Sequence, residues 1–261
     1  MKKSLLASTA MGTLMAASSA AHADGFGLRV FGGLNFAGDE SFDGRITTSS
    51  GTKGPTAYAY VFDGSVDFDT DLGYVFGGAI AYDLGNGFVV DLEVAYRRNK
   101  LDIAGAGLFG VQLTKIATPT KTTFYSYGTT ASLMGTDGHV SAVSLMANAW
   151  YEFDTGTELT PFIGAGVGIA WVDIHDLVEF RAVSGTYAYT FTNGLHGDDS
   201  GFAWQVGAGV AWEFDEDKAM TLEYRYFNGP EVKNIRVHDV EHDLDYDYAS
   251  HSVMVGFKVG F

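Results

Sequence analysis

The sequence predicts an all-β chain: a single eight-stranded antiparallel transmembrane β-barrel, with four long extracellular loops and three short periplasmic turns. Three observations lead there. Eight segments alternate apolar residues with small, polar or charged ones. The connections between those segments alternate strictly between short and long. The first residues read as an export signal.

Lys2 and Lys3 form a short positive region, and Leu5 to Ala17 is an apolar stretch too short to span a bilayer. Ala21-His22-Ala23 supplies the small residues that signal peptidase needs, so residues 1–23 are expected to be cleaved and residues 24–261 to form the barrel domain. The competing reading, an N-terminal membrane anchor, lacks the stop-transfer pattern that should follow it. The signal carries two of the sixteen Lys+Arg and none of the 32 Asp+Glu, which leaves the mature 238 residues with a net charge of −18. So acidic a chain argues against nucleic acid as a partner, because phosphate binding needs clustered Lys and Arg. There is no cysteine, so backbone pairing and packing must hold the exported protein together. No run of eighteen apolar residues exists, which excludes helical spans, and 34 glycines, 14 tyrosines and 19 phenylalanines suit β structure.

The segments follow in order. Phe26 to Phe36 sets Phe26, Leu28, Val30 and Leu34 against Arg29 and Asn35. Leu72 to Tyr82 sets Tyr74, Phe76, Ile80 and Tyr82 against Gly73, Gly77, Ala79 and Ala81. In the third, Phe88, Val90, Leu92, Val94 and Tyr96 oppose Asp91, Glu93 and Arg97. Val143, Leu145, Tyr151 and Phe153 then oppose Ser144, Asn148 and Glu152. In the fifth, Ile163, Val167, Ile169 and Trp171 oppose Gly164, Gly166 and Gly168. Trp204, Val206, Val210 and Trp212 oppose Gln205, Gly207, Gly209 and Glu213. Leu222, Tyr224 and Tyr226 oppose Thr221, Glu223 and Arg225. The last segment sets Val253, Val255, Phe257, Val259 and Phe261 against Ser252, Met254, Gly256, Lys258 and Gly260. Successive strand side chains point to opposite faces, so every segment has one apolar face.

Connection lengths decide what that face meets. Leu84 to Gly87, Asp154 to Glu158 and Asp215 to Lys218 are short, and the other four connections run to about 35, 40, 30 and 22 residues. All long loops therefore leave from one rim, as in a membrane barrel and unlike a soluble β domain. The apolar parity then faces lipid, and Tyr74, Tyr82, Tyr96, Tyr151, Trp171, Trp204, Trp212, Tyr224 and Tyr226 stand near its two interfaces. The other parity lines a narrow lumen holding five acids (Asp91, Glu93, Glu152, Glu213, Glu223) and four bases (Arg29, Arg97, Arg225, Lys258). So many enclosed charges are tolerable only when paired, which predicts an ion-pair network plugging the lumen. The inward glycines point the other way, since they leave room for a small water-filled passage.

Ser144 to Phe153 followed by Thr160 to Gly168 resembles the central signature of the eight-stranded outer-membrane β-barrel family, which includes the OmpA transmembrane domain and opacity-type surface antigens. Gly201 to Gly209, Leu222 to Phe227 and His251 to Phe261 resemble its later strands. The resemblance implies location in the outer membrane of a Gram-negative bacterium, contact with outer-membrane lipid and lipopolysaccharide, and reading of the terminal aromatic Phe261 by the outer-membrane assembly machinery. It implies little about activity, because members of the family differ mainly in their loops.

The fourth long loop alternates acids with two histidines, and His238, Asp239, His242 and Asp243 are weak candidates for a divalent-cation site. The spacing matches no calcium-loop signature, and the favoured reading is a solvated acidic loop that extends a strand pair. The second loop is poor in charge and rich in Gly, Ser, Thr and aromatics, which suits either an adhesive surface or a self-packed hairpin. Arg181 to Thr192 alternates and extends the sheet. No cofactor is expected and no catalysis: His251 and Ser252 are adjacent on a strand and point to opposite faces. The favoured function is a structural and surface-interaction protein, adhesin- or antigen-like, meeting host or matrix molecules at its loops. A low-conductance solute porin is the alternative, and a rim-site enzyme a distant one.

Overall fold

A computed structural model of the chain describes residues 25–260 apart from 39, 54–55, 104–109, 118–120, 128–129, 135–137, 185–186, 234–235, 238–239 and 242–245, with side chains described outside 39–69, 102–137, 176–195 and 234–245. The signal segment, Phe261 and the loop-four candidates His238, Asp239, His242 and Asp243 lie outside the described residues.

Eight long strands form the barrel: β1 (Phe26–Ala37), β2 (Gly73–Gly85), β3 (Phe88–Ile103), β4 (Gly138–Glu152), β5 (Leu159–Ser184), β6 (Tyr187–Asp215), β7 (Lys218–Val232) and β8 (Tyr246–Val259). Each pairs antiparallel with its sequence neighbours, and β1 pairs with β8 from Leu28↔Val259 to Ala37↔Ser250. The ring closes, so no backbone edge is left to hydrocarbon.

The parity of each strand sorts its side chains. On β3 Leu92 is 55% exposed and Glu93 0%; on β7 Tyr224 is 50% exposed and Arg225 0%. Exposed Val30, Ile80, Leu92, Val94, Ile163, Val167, Val206, Leu222 and Val255 form the outer apolar band. Aromatic contacts ring its lower edge, among them Phe26–Tyr82 at 4.7 Å, Phe88–Tyr151 at 4.9 Å and Trp212–Phe214 at 5.8 Å between centroids. Phe76–Tyr96 at 5.3 Å and Trp204–Tyr226 at 5.4 Å do the same at the upper edge. Rings at these levels suit the amphipathic interface.

The short connections are tight. Between β2 and β3, Asn86 and Gly87 adopt φ of 56° and 81°, the left-handed pair that a two-residue hairpin turn requires and an Asn-Gly sequence supplies. Between β6 and β7 the Lys218 ammonium lies 2.5 Å from Asp215 and holds that exposed carboxyl below the usual range.

At the other rim the strands do not stop at the membrane. β5 and β6 stay paired up to Ser184↔Tyr187. The first long connection is a hairpin of residues Glu40–Lys53 and Thr56–Thr70. In the second, Gly110–Ala117 pairs both with Lys121–Tyr127 and with the first hairpin at Thr56 to Asp63. Thr130–Met134 pairs with Glu179 to Val183 of β5. The second loop is thus a hairpin that is also stitched to its neighbours on both sides.

Among the tightest backbone approaches inside the barrel is that at Gly33, where an added Cβ would meet the Val253 carbonyl and Met254 Cα of β8. Gly33→Val is therefore expected to destabilise the closing pair by about 1–3 kcal/mol. Its checkable sign is a folded, fast-migrating band on an unboiled gel that is lost at a lower temperature than in the parent.

Candidate functional site

The lumen is lined by inward positions of all eight strands, and its polar groups come from β1, β3, β4, β6, β7 and β8. Arg29 on β1 donates through Nη1 to Glu223 Oε2 at 2.9 Å and through Nη2 to Glu93 Oε2 at 2.8 Å and Asp91 Oδ2 at 3.2 Å. Arg225 on β7 donates through Nη1 to both Glu93 oxygens, at 2.6 and 2.8 Å, and through Nε to Glu223 Oε1 at 2.8 Å, with Nη2 on the same oxygen. Two guanidinium forks therefore share two carboxylates, the geometry in which Arg pairs are strongest. Asp91 also accepts from Asn148 Nδ2 at 2.5 Å and Trp150 Nε1 at 2.9 Å.

The structure brings five of the nine expected lumen residues into that cluster: Arg29, Asp91, Glu93, Glu223 and Arg225. Arg97 joins it at one remove. Its guanidinium donates to Ser144 Oγ at 2.8 Å and Gln205 Oε1 at 3.3 Å, Gln205 in turn donates to Glu93, and Phe227 presents its ring 4.0 Å away. Lys258 pairs with Glu152 at the periplasmic mouth. Glu213 departs from the expectation. It is exposed, and its Oε1 accepts from Thr160 Oγ1 at 2.8 Å. Although it has the inward parity, it lies beside the β6–β7 register shift between Glu213 and Asp215 at the strand end, where water takes the place of the lumen.

Sequence reasoning overlooked the rings inside the lumen. Arg29 and Arg225 both lie between Phe31 and Trp150, with guanidinium-to-centroid distances of 5.2 to 5.4 Å. Phe162 packs edge-on to Trp150 at 5.6 Å. The inward glycines do not open a passage; these rings occupy the space. A Cβ at Gly77 would strike Phe31, one at Gly164 would strike Trp150, and one at Gly209 would strike Phe162. Toward the extracellular end Leu101, Val140, Ile174, Phe227, Tyr246 and Tyr248 fill the bore. The inward parity was the available signal for all of these; their apolar character hid them among residues expected to face lipid.

The arrangement closes the lumen. Among the described residues the buried charges are Arg29, Arg97 and Arg225 against Asp91, Glu93 and Glu223, equal in number. Among Arg29, Asp91, Trp150, Glu152, Phe162 and Lys258 a cavity of about 10 Å³ remains, room for one water at most. His251 and Ser252 lie on opposite faces: His251 is exposed and 2.6 Å from the Tyr224 hydroxyl, while Ser252 is buried and donates to Asn35 Oδ1 at 2.6 Å.

Arg225→Ala strips a donor set from two buried carboxylates and is expected to cost about 3–5 kcal/mol and to open a measurable ion leak. Glu93→Gln keeps the shape and should leak less. The thermal midpoint of the folded band and planar-bilayer current read both effects.

A family model described as Outer membrane protein beta-barrel domain matches residues 5–258. Outer membrane protein PagN of Salmonella typhimurium is 26% identical over 127 residues, 47% of this chain; the chain thus spans about half the length of that relative, 51%. Among solved structures, the outer membrane protein OprG of Pseudomonas aeruginosa is 14% identical, with a TM-score of 0.47 and coverage of 91% of this chain and 97% of its own. Neisserial surface protein A is 15% identical, with a TM-score of 0.40 and coverage of 91% and 98%. With a family match across nearly its whole length and a closed ring of eight strands, the chain belongs to the outer membrane protein β-barrel domain family and is a protein of the Gram-negative outer membrane.

Proposed function

We propose that this protein is a surface-interaction barrel, adhesin- or antigen-like, whose membrane part is a closed anchor and whose working surface is the paired sheet above the extracellular rim. The lumen carries the proposal: among the described residues its buried charges are matched, and the cavity beside the ion-pair cluster is too small for a solute. The continuous pairing of the first, second and third long connections supplies a broad surface rather than separate tethered loops. Main-chain pairing lowers the ordering cost that loops incur on binding, which favours contact with large host or matrix molecules. Removal of residues 1–23 on export, recognition of Phe261 by the assembly machinery and the absence of catalysis belong to the same proposal.

Replacing residues 104–137 by a short Gly-Ser turn is expected to leave a folded, heat-modifiable barrel while adhesion of cells displaying it to host-cell or matrix surfaces falls to that of cells lacking the protein. The parent chain is expected to be silent in planar bilayers. Steady conductance steps from the parent, or adhesion that survives the replacement, would overturn the proposal.

A further inference from the structure

Just above the upper aromatic edge, three of the seven histidines stand in one row across three strands. His175 on β5 is directly opposite His139 on β4 and His196 on β6. The His139 and His175 rings stack at 5.7 Å between centroids, and the His175 and His196 rings meet edge-on at 4.7 Å. Their neighbours on either side along these strands, Val140 and Ile174, are buried in the bore, so the three imidazoles have the outward parity. Asp173 Oδ1 lies 2.5 Å from His175 Nδ1, and Asp173 is opposite Asp198.

We propose that this row is a binding site for a divalent d-block cation of zinc type, held by His139, His175 and His196. A carboxylate on one imidazole nitrogen fixes the tautomer that leaves the other nitrogen as a lone-pair donor, the relation that Asp173 has to His175. Two imidazoles on one tetrahedral ion place their centroids roughly 5 Å apart, given metal–nitrogen bonds of about 2 Å. The observed 5.7 and 4.7 Å fall on either side of that value. Among the described residues no three ligands yet converge on one point, so binding requires the rings to turn about χ1 and χ2. His175, with half its side chain exposed, has room to do so. Asp173 and Asp198 face each other two residues below the row and supply negative charge beside it, while the two ends of the row meet basic residues, Lys100 opposite His139 and Arg236 opposite His196, the first 3.8 Å from Asp71. Bound there, the ion ties three strands together where they leave the bilayer.

The test is calorimetric titration of zinc into the full mature chain, refolded in detergent at near-neutral pH, with cobalt absorption as a second readout. One ion per chain is expected, with a tetrahedral cobalt spectrum and a raised thermal midpoint. His175→Asn should abolish all three effects, and Asp173→Asn should weaken affinity roughly tenfold. Because the row faces outward, both variants should remain folded on an unboiled gel; His139→Gln and His196→Gln provide the same test should one of them fail. His238→Asn with His242→Asn should leave binding unchanged. Absence of stoichiometric binding, binding that survives loss of the row, or binding lost with His238 and His242 instead would each overturn the proposal.

Discussion

Hydrocarbon offers no partner to the N–H and C=O groups of a strand edge, so this chain is stable in a membrane only if its first and last strands find each other. The pairing of β1 with β8 meets that constraint, and the rest follows from it. Once the sheet is a closed tube, each residue of a spanning strand faces either lipid or lumen, and its position along the strand decides which. Leu92 and Glu93 are adjacent in sequence and lie on opposite sides of the wall.

Closure also creates the lumen's difficulty. Six charged side chains among the described residues are sealed in a space from which water is nearly excluded, where an unpaired charge is severely penalised. The solution is dense sharing: Glu93 and Glu223 each accept from both Arg29 and Arg225. Aromatic faces of Phe31 and Trp150 cover those guanidinium groups, whose planar, weakly hydrated cations tolerate such cover better than an ammonium would. Glycine backbones supply the space into which the rings lie. The lumen is therefore a packed core with a polar centre, which is what the proposed role of the membrane part as an anchor requires.

Above the apolar band the same strands continue into water, and the outward side chains change accordingly. On β5 the sequence passes from Trp171 to Asp173 and His175 within four residues. β5 and β6 extend far beyond the 9–11 residues or so that a tilted spanning strand needs, and the added hairpins join them by main-chain bonds. The boundary between membrane and aqueous sheet is where the histidine row stands, and the sheet beyond it is where recognition is assigned.

Much of this was legible in the residues. Alternation marked all eight strands and the face of each charge, because side-chain direction in a strand is a local property with a period of two. Asn86-Gly87 marked its turn for an equally local reason. Partnership was not legible. Arg29 meets Glu223 across a separation of 194 positions, which depends on how the closed sheet sets the register of its strands. Glu213 shared the inward parity of Glu223, yet its place at a strand end put it in water. Phe31, Trp150 and Phe162 showed in sequence only their inward parity, not that their rings would occupy the space over the glycines. The sequence by itself thus determined the strands, their faces and the membrane they cross. Only the tertiary structure decided which charges pair, that the lumen is closed and that three histidines on three strands stand side by side, because those depend on register between segments distant along the chain.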